Sequence, residues 1–318
     1  MTNNFYKQIG WLGMALLLHL SSCSDEGMPP HPGKVEERAA LRVSGASTGI
    51  DVQTRAGDRE TLASGSIGVF LKADATNGYT AIDNRCFTYG TPYWTTGTPI
   101  LLGDYPATLA AYYPYSVGKA NPLLLRSQRL TGAEDLCCVN FRADLSSSTV
   151  TLDLMRVYSC IEFNFSTAAP DLYKGDGKVT GINFSGNGIL PVAMFDMFDP
   201  GFTDGTKTIS EIIDPFTGVY GVNISGFTTR FTPAAPDVAD CLIIPYRLSG
   251  DIEFVITLDG AVMKGKVTAE QLCGAACTLN EGTKYVINVK VRAKGLEVSS
   301  IRKMEWEASN VDGDYVIQ

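Results

Sequence analysis

From residue 41 onward, apolar and polar residues alternate with a period of two. Tyr285, Ile287, Val289 and Val291 fall on one side of an extended chain, with Asn288, Lys290 and Arg292 on the other. Ile252, Phe254, Ile256 and Leu258 alternate with Glu253, Thr257 and Asp259; Val150, Leu152 and Leu154 with Thr149, Thr151 and Asp153; Ile161, Phe163 and Phe165 with Glu162, Asn164 and Ser166. Successive side chains of a strand point to opposite faces, so this alternation predicts half-buried antiparallel strands. Asp259-Gly260 directly follows the 252–258 run and predicts a two-residue hairpin turn, because both positions of such a turn need positive φ. The 32 glycines and 15 prolines break the chain into short runs, which suits a sandwich of many strands. One short helix is expected after Thr268, where Thr268 and Gln271 form a capping box and Gly274 ends the turn. The expected fold is all-β: two tandem antiparallel β-sandwich domains with very little helix. Their spans are 41–170 and 171–318, divided near Ala168-Ala169-Pro170-Asp171 or at the nearby Lys174-Gly175-Asp176-Gly177 turn.

The pattern differs ahead of residue 41. Residues 1–22 carry Lys7 and an apolar run from Ile9 to Leu18 that is too short to cross a bilayer, so they read as a signal peptide. The run closes on Leu20-Ser21-Ser22-Cys23, which resembles a bacterial lipobox and implies cleavage before Cys23 and lipidation of that residue. Several acyl chains on one residue meet the requirement for stable anchoring. Ser24 argues against retention in the inner membrane, and Asp25-Glu26 resembles the acidic export signal of surface lipoproteins. The expected location is therefore the outer membrane, facing outward. Residues 23–40, with Pro29, Pro30, Pro32 and Gly33, form a flexible tether.

Composition narrows the chemistry. The 318 residues are 45% apolar and 19% charged with a net charge of −8, so the chain is a folded acidic protein and a poor partner for nucleic acid. Its two histidines, His19 and His31, lie in the signal peptide and the tether. A Ser-His-Asp or Cys-His arrangement and a histidine-ligated zinc are thereby excluded from the folded body, and no Gly-rich phosphate loop or nucleophile elbow occurs. No catalytic or cofactor site is expected. Asp196, Asp199 and Asp204 suit a hard cation by type, but their spacing is not that of an EF-hand and they read as solvated loop acids. Besides Cys23 there are seven cysteines. Cys137-Cys138 should point to opposite faces of a strand as small buried residues, and Cys273 and Cys277 are candidates for a structural disulfide.

Further motifs carry a family resemblance. Thr54-Arg55-Ala56 precedes Ile67-Gly68-Val69-Phe70; Tyr93-Trp94 is followed by Tyr105-Pro106 and Ala111-Tyr112-Tyr113-Pro114-Tyr115. Ile243-Ile244-Pro245 precedes the 252–258 strand, and Gly282-Thr283-Lys284-Tyr285 leads to Gly295-Leu296-Glu297-Val298 and Trp306. In order and spacing these resemble the fimbrillin (Mfa-like) family of surface lipoproteins and pilus subunits. The resemblance implies that the two tandem domains are transthyretin-like, Greek-key type β-sandwiches, and that the chain is a tip, anchor or minor shaft subunit of a fimbria that works with other fimbrial subunits in adhesion. It also implies that an Arg-specific protease removes the N-terminal segment, here after Arg55 with Arg59 as runner-up, to open a groove for a neighbour's β-strand. The residues leave a second class open, a surface glycan-binding lipoprotein without catalysis, in which Tyr112 and Trp94 hold a sugar or a receptor glycan. Alternation places Tyr113 on the core face with Leu109 and Ala111 and leaves Tyr112 undetermined.

Overall fold

The computed structural model describes residues 37–49, 60–130, 135–167, 172–216, 221–232, 237–275 and 277–306. Among them strand dominates, and the helices are single turns at Pro200–Thr203, Ile209–Ile212 and Ala269–Cys273. The all-β class follows from the alternation. The expected strands appear at Thr149–Arg156, Ser159–Thr167, Ser249–Leu258 and Thr283–Arg292. Asp259 and Gly260 both take positive φ (47° and 80°) and bring Leu258 opposite Ala261. The predicted helix is Ala269–Cys273, with Thr268 at its N-cap, the reciprocal Gln271 bond of a capping box, and Gly274 at its end.

In the first half one sheet runs from Thr149–Arg156 through Cys137–Ala143, Ala107–Tyr113, Ser66–Leu71, Ile82–Gly90 and Tyr93–Thr95 to Arg42–Gly49. It closes on itself, because Arg42–Gly49 also pairs in parallel with Thr149–Arg156. Ile67, Val69, Phe87, Trp94, Leu109, Ala111, Leu152 and Leu154 form the core inside this sheet. The second half is a two-layer sandwich. Asp237–Ile243, Ser159–Thr167, Thr283–Arg292 and Gly295–Glu305 form one layer; Val222–Arg230, Lys178–Asn187, Ser249–Leu258 and Ala261–Thr268 form the other. Between them the ring of Phe163 lies 5.8 Å from Phe184 and 5.5 Å from Phe254. Each fully buried aromatic or branched side chain of this kind contributes about 1.5–3 kcal/mol.

The expected domain division at 168–171 lies outside the described residues, but the change of sheet does not. It falls at Val157-Tyr158, because Ser159–Thr167 already pairs with Asp237–Ile243 and Thr283–Arg292. The halves also interlock: Leu123–Arg126 pairs with Val192–Phe195, and Gln128–Arg129 pairs with Asp237–Ile243. A third core lies at this junction, containing Phe70, Tyr112, Leu125, Cys138, Phe195, Leu242 and Trp306.

Two adjacent cysteines display the arrangement. Cys137 packs in the first core and Cys138 in the junction core, as opposite faces of one strand require. Burial pushes both thiol pKa values upward. Cys273 and Cys277 are joined by a disulfide across the turn after the short helix.

Candidate functional site: the seat of the first strand

Arg42–Gly49 is short and carries few large side chains, yet it lies within a sheet rather than at its rim. On one side it runs parallel to Thr149–Arg156, with Val43 opposite Val150, Ala46 opposite Leu152 and Thr48 opposite Leu154. On the other side it meets Trp94 through Val43, and Glu60–Thr61 through Ser47 and Thr48. Leu41, Val43 and Ala46 are each at most 3% exposed, so they complete the first core. Main-chain bonds fix both ends: Leu41 N donates to Ile100 O (2.8 Å), Arg42 N to Ser148 O (2.8 Å), and Leu62 N to Ala46 O (2.9 Å).

The register slips by one residue between Val150 and Thr151. The extra residue on the first strand is Ser44, whose hydroxyl donates to Val150 O (2.9 Å) and lies 3.2 Å from Thr151 Oγ1. Such a bulge shifts the in-out phase of a strand. It explains why Val43 and Ala46, three residues apart, both face inward. Further along, Ser47 Oγ donates to Asp153 Oδ1 (2.8 Å). The seam toward Tyr93–Thr95 is thin, with the single facing pair Val43 and Trp94. A cavity of about 380 Å³ opens there, lined by Val43, Ser44, Tyr93 and Trp94, and Trp94 Nε1 is buried without a hydrogen-bond acceptor.

The far wall of the seat is held by charge. Arg156 ends the Thr149–Arg156 strand and is 5% exposed. Its Nε donates to Asp135 Oδ2 (2.7 Å) and its Nη1 to Trp306 O (2.8 Å), with the guanidinium 4.8 Å from the Trp306 ring centroid. Burial raises the Asp135 pKa, and Arg156 opposes that shift. Sequence reasoning missed this clamp, since its partners lie 21 and 150 residues away and no local pattern joins them.

The residues singled out from sequence fare differently. Leu20, Ser21, Ser22 and Cys23 lie outside the described residues, as do Arg55 and Arg59, which fall in the chain between Arg42–Gly49 and Glu60–Thr61. The expectation that Tyr112 and Trp94 present open rings to a glycan is corrected by their burial. Tyr112 is fully buried and Trp94 is 3% exposed. Both faces of Ala107–Tyr113 are covered by protein, so Tyr112 enters the junction core while Leu109 and Ala111 enter the first. Tyr112 lies over Gly68, where any Cβ would collide with its ring, and its hydroxyl donates to Asn84 Oδ1 (2.6 Å). Trp94 packs edge-on against Tyr89, with ring centroids 5.3 Å apart. Tyr113, expected in the core, is half-buried beside it. The three aspartates are engaged locally: Asp196 accepts from Phe198 N, Asp199 caps the Pro200–Thr203 turn through Gly201 N, and Asp204 accepts from Thr206.

Comparison with known proteins settles the lineage. The sequence profile of the fimbrillin-like family matches residues 54–306, most of the chain. The chain belongs to the fimbrillin-like family. The architecture of this fimbrillin-like chain is shared with solved structures. A "putative cell adhesion protein" from Bacteroides uniformis superposes with a TM-score of 0.55 at 18% identity, covering 85% of this chain and 99% of that one. A "putative cell adhesion protein" from Bacteroides ovatus gives 0.55 at 13% identity, covering 86% and 100%. None of the curated proteins matches in sequence. The family match begins at Thr54, so the first strand of the fimbrillin-like chain precedes the matched region.

Proposed function

We propose that this fimbrillin-like chain is a subunit of a surface fimbria, in a tip, anchor or minor shaft position, and that it serves in cell adhesion. It is exported by its signal peptide, anchored in the outer membrane through lipidated Cys23, and joined to other fimbrial subunits by β-strand addition. The acceptor is the seat of Arg42–Gly49, emptied when a protease cuts after Arg55 or Arg59. The role is structural rather than catalytic, in keeping with the family.

One observation carries this reading. The strand N-terminal to both arginines fills a place in the middle of a sheet, with its apolar side chains in the core and its backbone paired on both sides. Its removal would leave the Thr149–Arg156 edge unpaired above an open apolar groove. A foreign strand entering there gains a ladder of main-chain bonds and covers the groove in one step.

The test is to treat the purified mature chain with an Arg-specific protease and follow its mass in solution by light scattering. Cleavage after Arg55 or Arg59 with growth of oligomers is expected, and Arg55→Ala with Arg59→Ala should abolish both. Cutting that leaves the chain monomeric, even with a second fimbrial subunit added, would sink the strand-addition reading.

A further inference from the structure

At the junction between the halves, a cavity of about 360 Å³ lies beside the segment that links Ala107–Tyr113 to Leu123–Arg126. Tyr115, Ser116, Lys119, Leu124, Arg126 and Gln128 contribute to its wall, and among the described residues no carboxylate does. That is unusual in a chain with 34 acidic against 26 basic residues. The protein's buried cations are matched to acids, Arg156 to Asp135 and Lys284 to Glu162 at 3.1 Å, whereas here Lys119 is half-buried and Arg126 exposed. Lys119 and Arg126 make no ion pair among the described residues. The Lys119 ammonium lies over the face of the Tyr112 ring, 5.9 Å from its centroid. Burial lowers the Lys119 pKa.

The wall is also held in place before any ligand arrives. Tyr112 Oη accepts from Ser116 N (3.2 Å), Asn84 Nδ2 donates to Ser116 O (2.9 Å), and Tyr115 N donates to Ser66 O (2.9 Å). Arg126 N donates to Tyr158 Oη (3.2 Å), fixing the opposite wall. Fixed walls reduce the ordering cost of binding.

We infer that this cavity is a binding site for a carboxylate-bearing sugar of about monosaccharide size. Its carboxylate would lie between Lys119 and Arg126, where a guanidinium can donate two parallel bonds. The Tyr115 ring and Leu124 offer an apolar surface to the ring C–H groups, and Ser116 and Gln128 can meet hydroxyls. The volume lies at the lower end of the range of small-molecule sites, which suits one sugar ring rather than a chain. The site is apart from the first-strand seat, and its standing does not depend on strand addition.

The experiment is saturation-transfer NMR on the mature full chain with glucuronate, N-acetylneuraminate, glucose and acetate, each at about 10 mM, a range that detects affinities down to the millimolar. Glucuronate or N-acetylneuraminate should receive saturation, and glucose should bind at least about tenfold more weakly, since charged hydrogen bonds dominate. Lys119→Met and Arg126→Met should each weaken binding about tenfold or more while leaving the melting temperature within about 2 °C of the parent. Equal saturation of glucose, absence of saturation for both acidic sugars, or unchanged binding in both variants would overturn the assignment. Acetate bound as well as the acidic sugars would overturn the sugar part of it.

Discussion

The seat of the first strand can be weighed one side chain at a time. Val43 is 1% exposed, facing Trp94 on one side and Val150 on the other. Val43→Ala removes two methyl groups, about 0.8 kcal/mol each in transfer, and leaves a cavity between neighbours held by the closed sheet. The combined cost is about 2 kcal/mol, or about 30-fold in the occupancy of the seat. In a chain cut between residues 50 and 59, the N-terminal segment is held by noncovalent contacts alone. A fluorophore on that segment then reports its release when an excess of unlabelled peptide 39–49 is added. Val43→Ala should speed release by about 30-fold, because lost packing acts mostly on dissociation. Val179→Ala is the control: Val179 is fully buried in the other core, so it should lower the melting temperature similarly without changing release. Release that stays within about twofold of the parent in Val43→Ala, or that rises equally in Val179→Ala, would refute the idea that Arg42–Gly49 is a separable unit held by its own seat.

Other outcomes follow from the same packing. Arg156→Met strands the buried Asp135 carboxylate and frees Trp306 O, so urea denaturation should show a loss of about 3–5 kcal/mol; a loss below about 1 kcal/mol would show the clamp to be idle. Gly68→Ala drives a methyl into the Tyr112 ring and should cost about 1–3 kcal/mol, with Tyr112→Leu relieving part of it in the double variant. Among the five free cysteines of the described residues, iodoacetamide should modify Cys86 in the native protein and spare Cys137, Cys138, Cys160 and Cys241, which are buried; peptide mass mapping reads this directly. Burial pulls the Lys284 pKa down, but Asp240, Cys160 and Glu162 reverse that and leave it above the ordinary lysine value. Its contribution is therefore complete below the unfolded pKa of about 10.4 and is lost as pH rises through the higher folded value. The gap in urea midpoint between the parent and Lys284→Met should accordingly be level up to about pH 10 and narrow above it; a gap that widens there would contradict the assignment.

The sequence made the second half more legible than the first. Phe163, Phe165, Phe254 and Ile256 face one core across the sandwich, so simple alternation identifies their side correctly. Asp259-Gly260 and Thr268 to Gly274 could be read because turns and caps are set by a few neighbouring residues. Ala107–Tyr113 could not be read this way, since alternation separates two faces without saying that both are covered. Alternation places Tyr113 on the side of Leu109 and Ala111, where it packs, but leaves Tyr112 undetermined, and the burial of Tyr112 and Trp94 removes the glycan role. The junction core draws on residues as far apart as Phe70 and Trp306, a grouping that no window along the chain contains. The single turns at Pro200–Thr203 and Ile209–Ile212 escaped because they are too short to show a helical period.

The bulge at Ser44 gives the seat a grammar of its own. Inward positions fall at Leu41, Val43, Ala46 and Thr48, so the spacing is two, then three, then two. An unbroken strand offers only twos. A segment able to take this place without distorting its neighbours would need a large apolar residue, another two positions on, a small residue three further, and a short side chain after two more. It would also need a hydroxyl or another small donor at the extra position to satisfy Val150 O. That written-out spacing is a query that can be run against the ends of candidate partner chains, and it would reject any strand whose apolar residues alternate strictly.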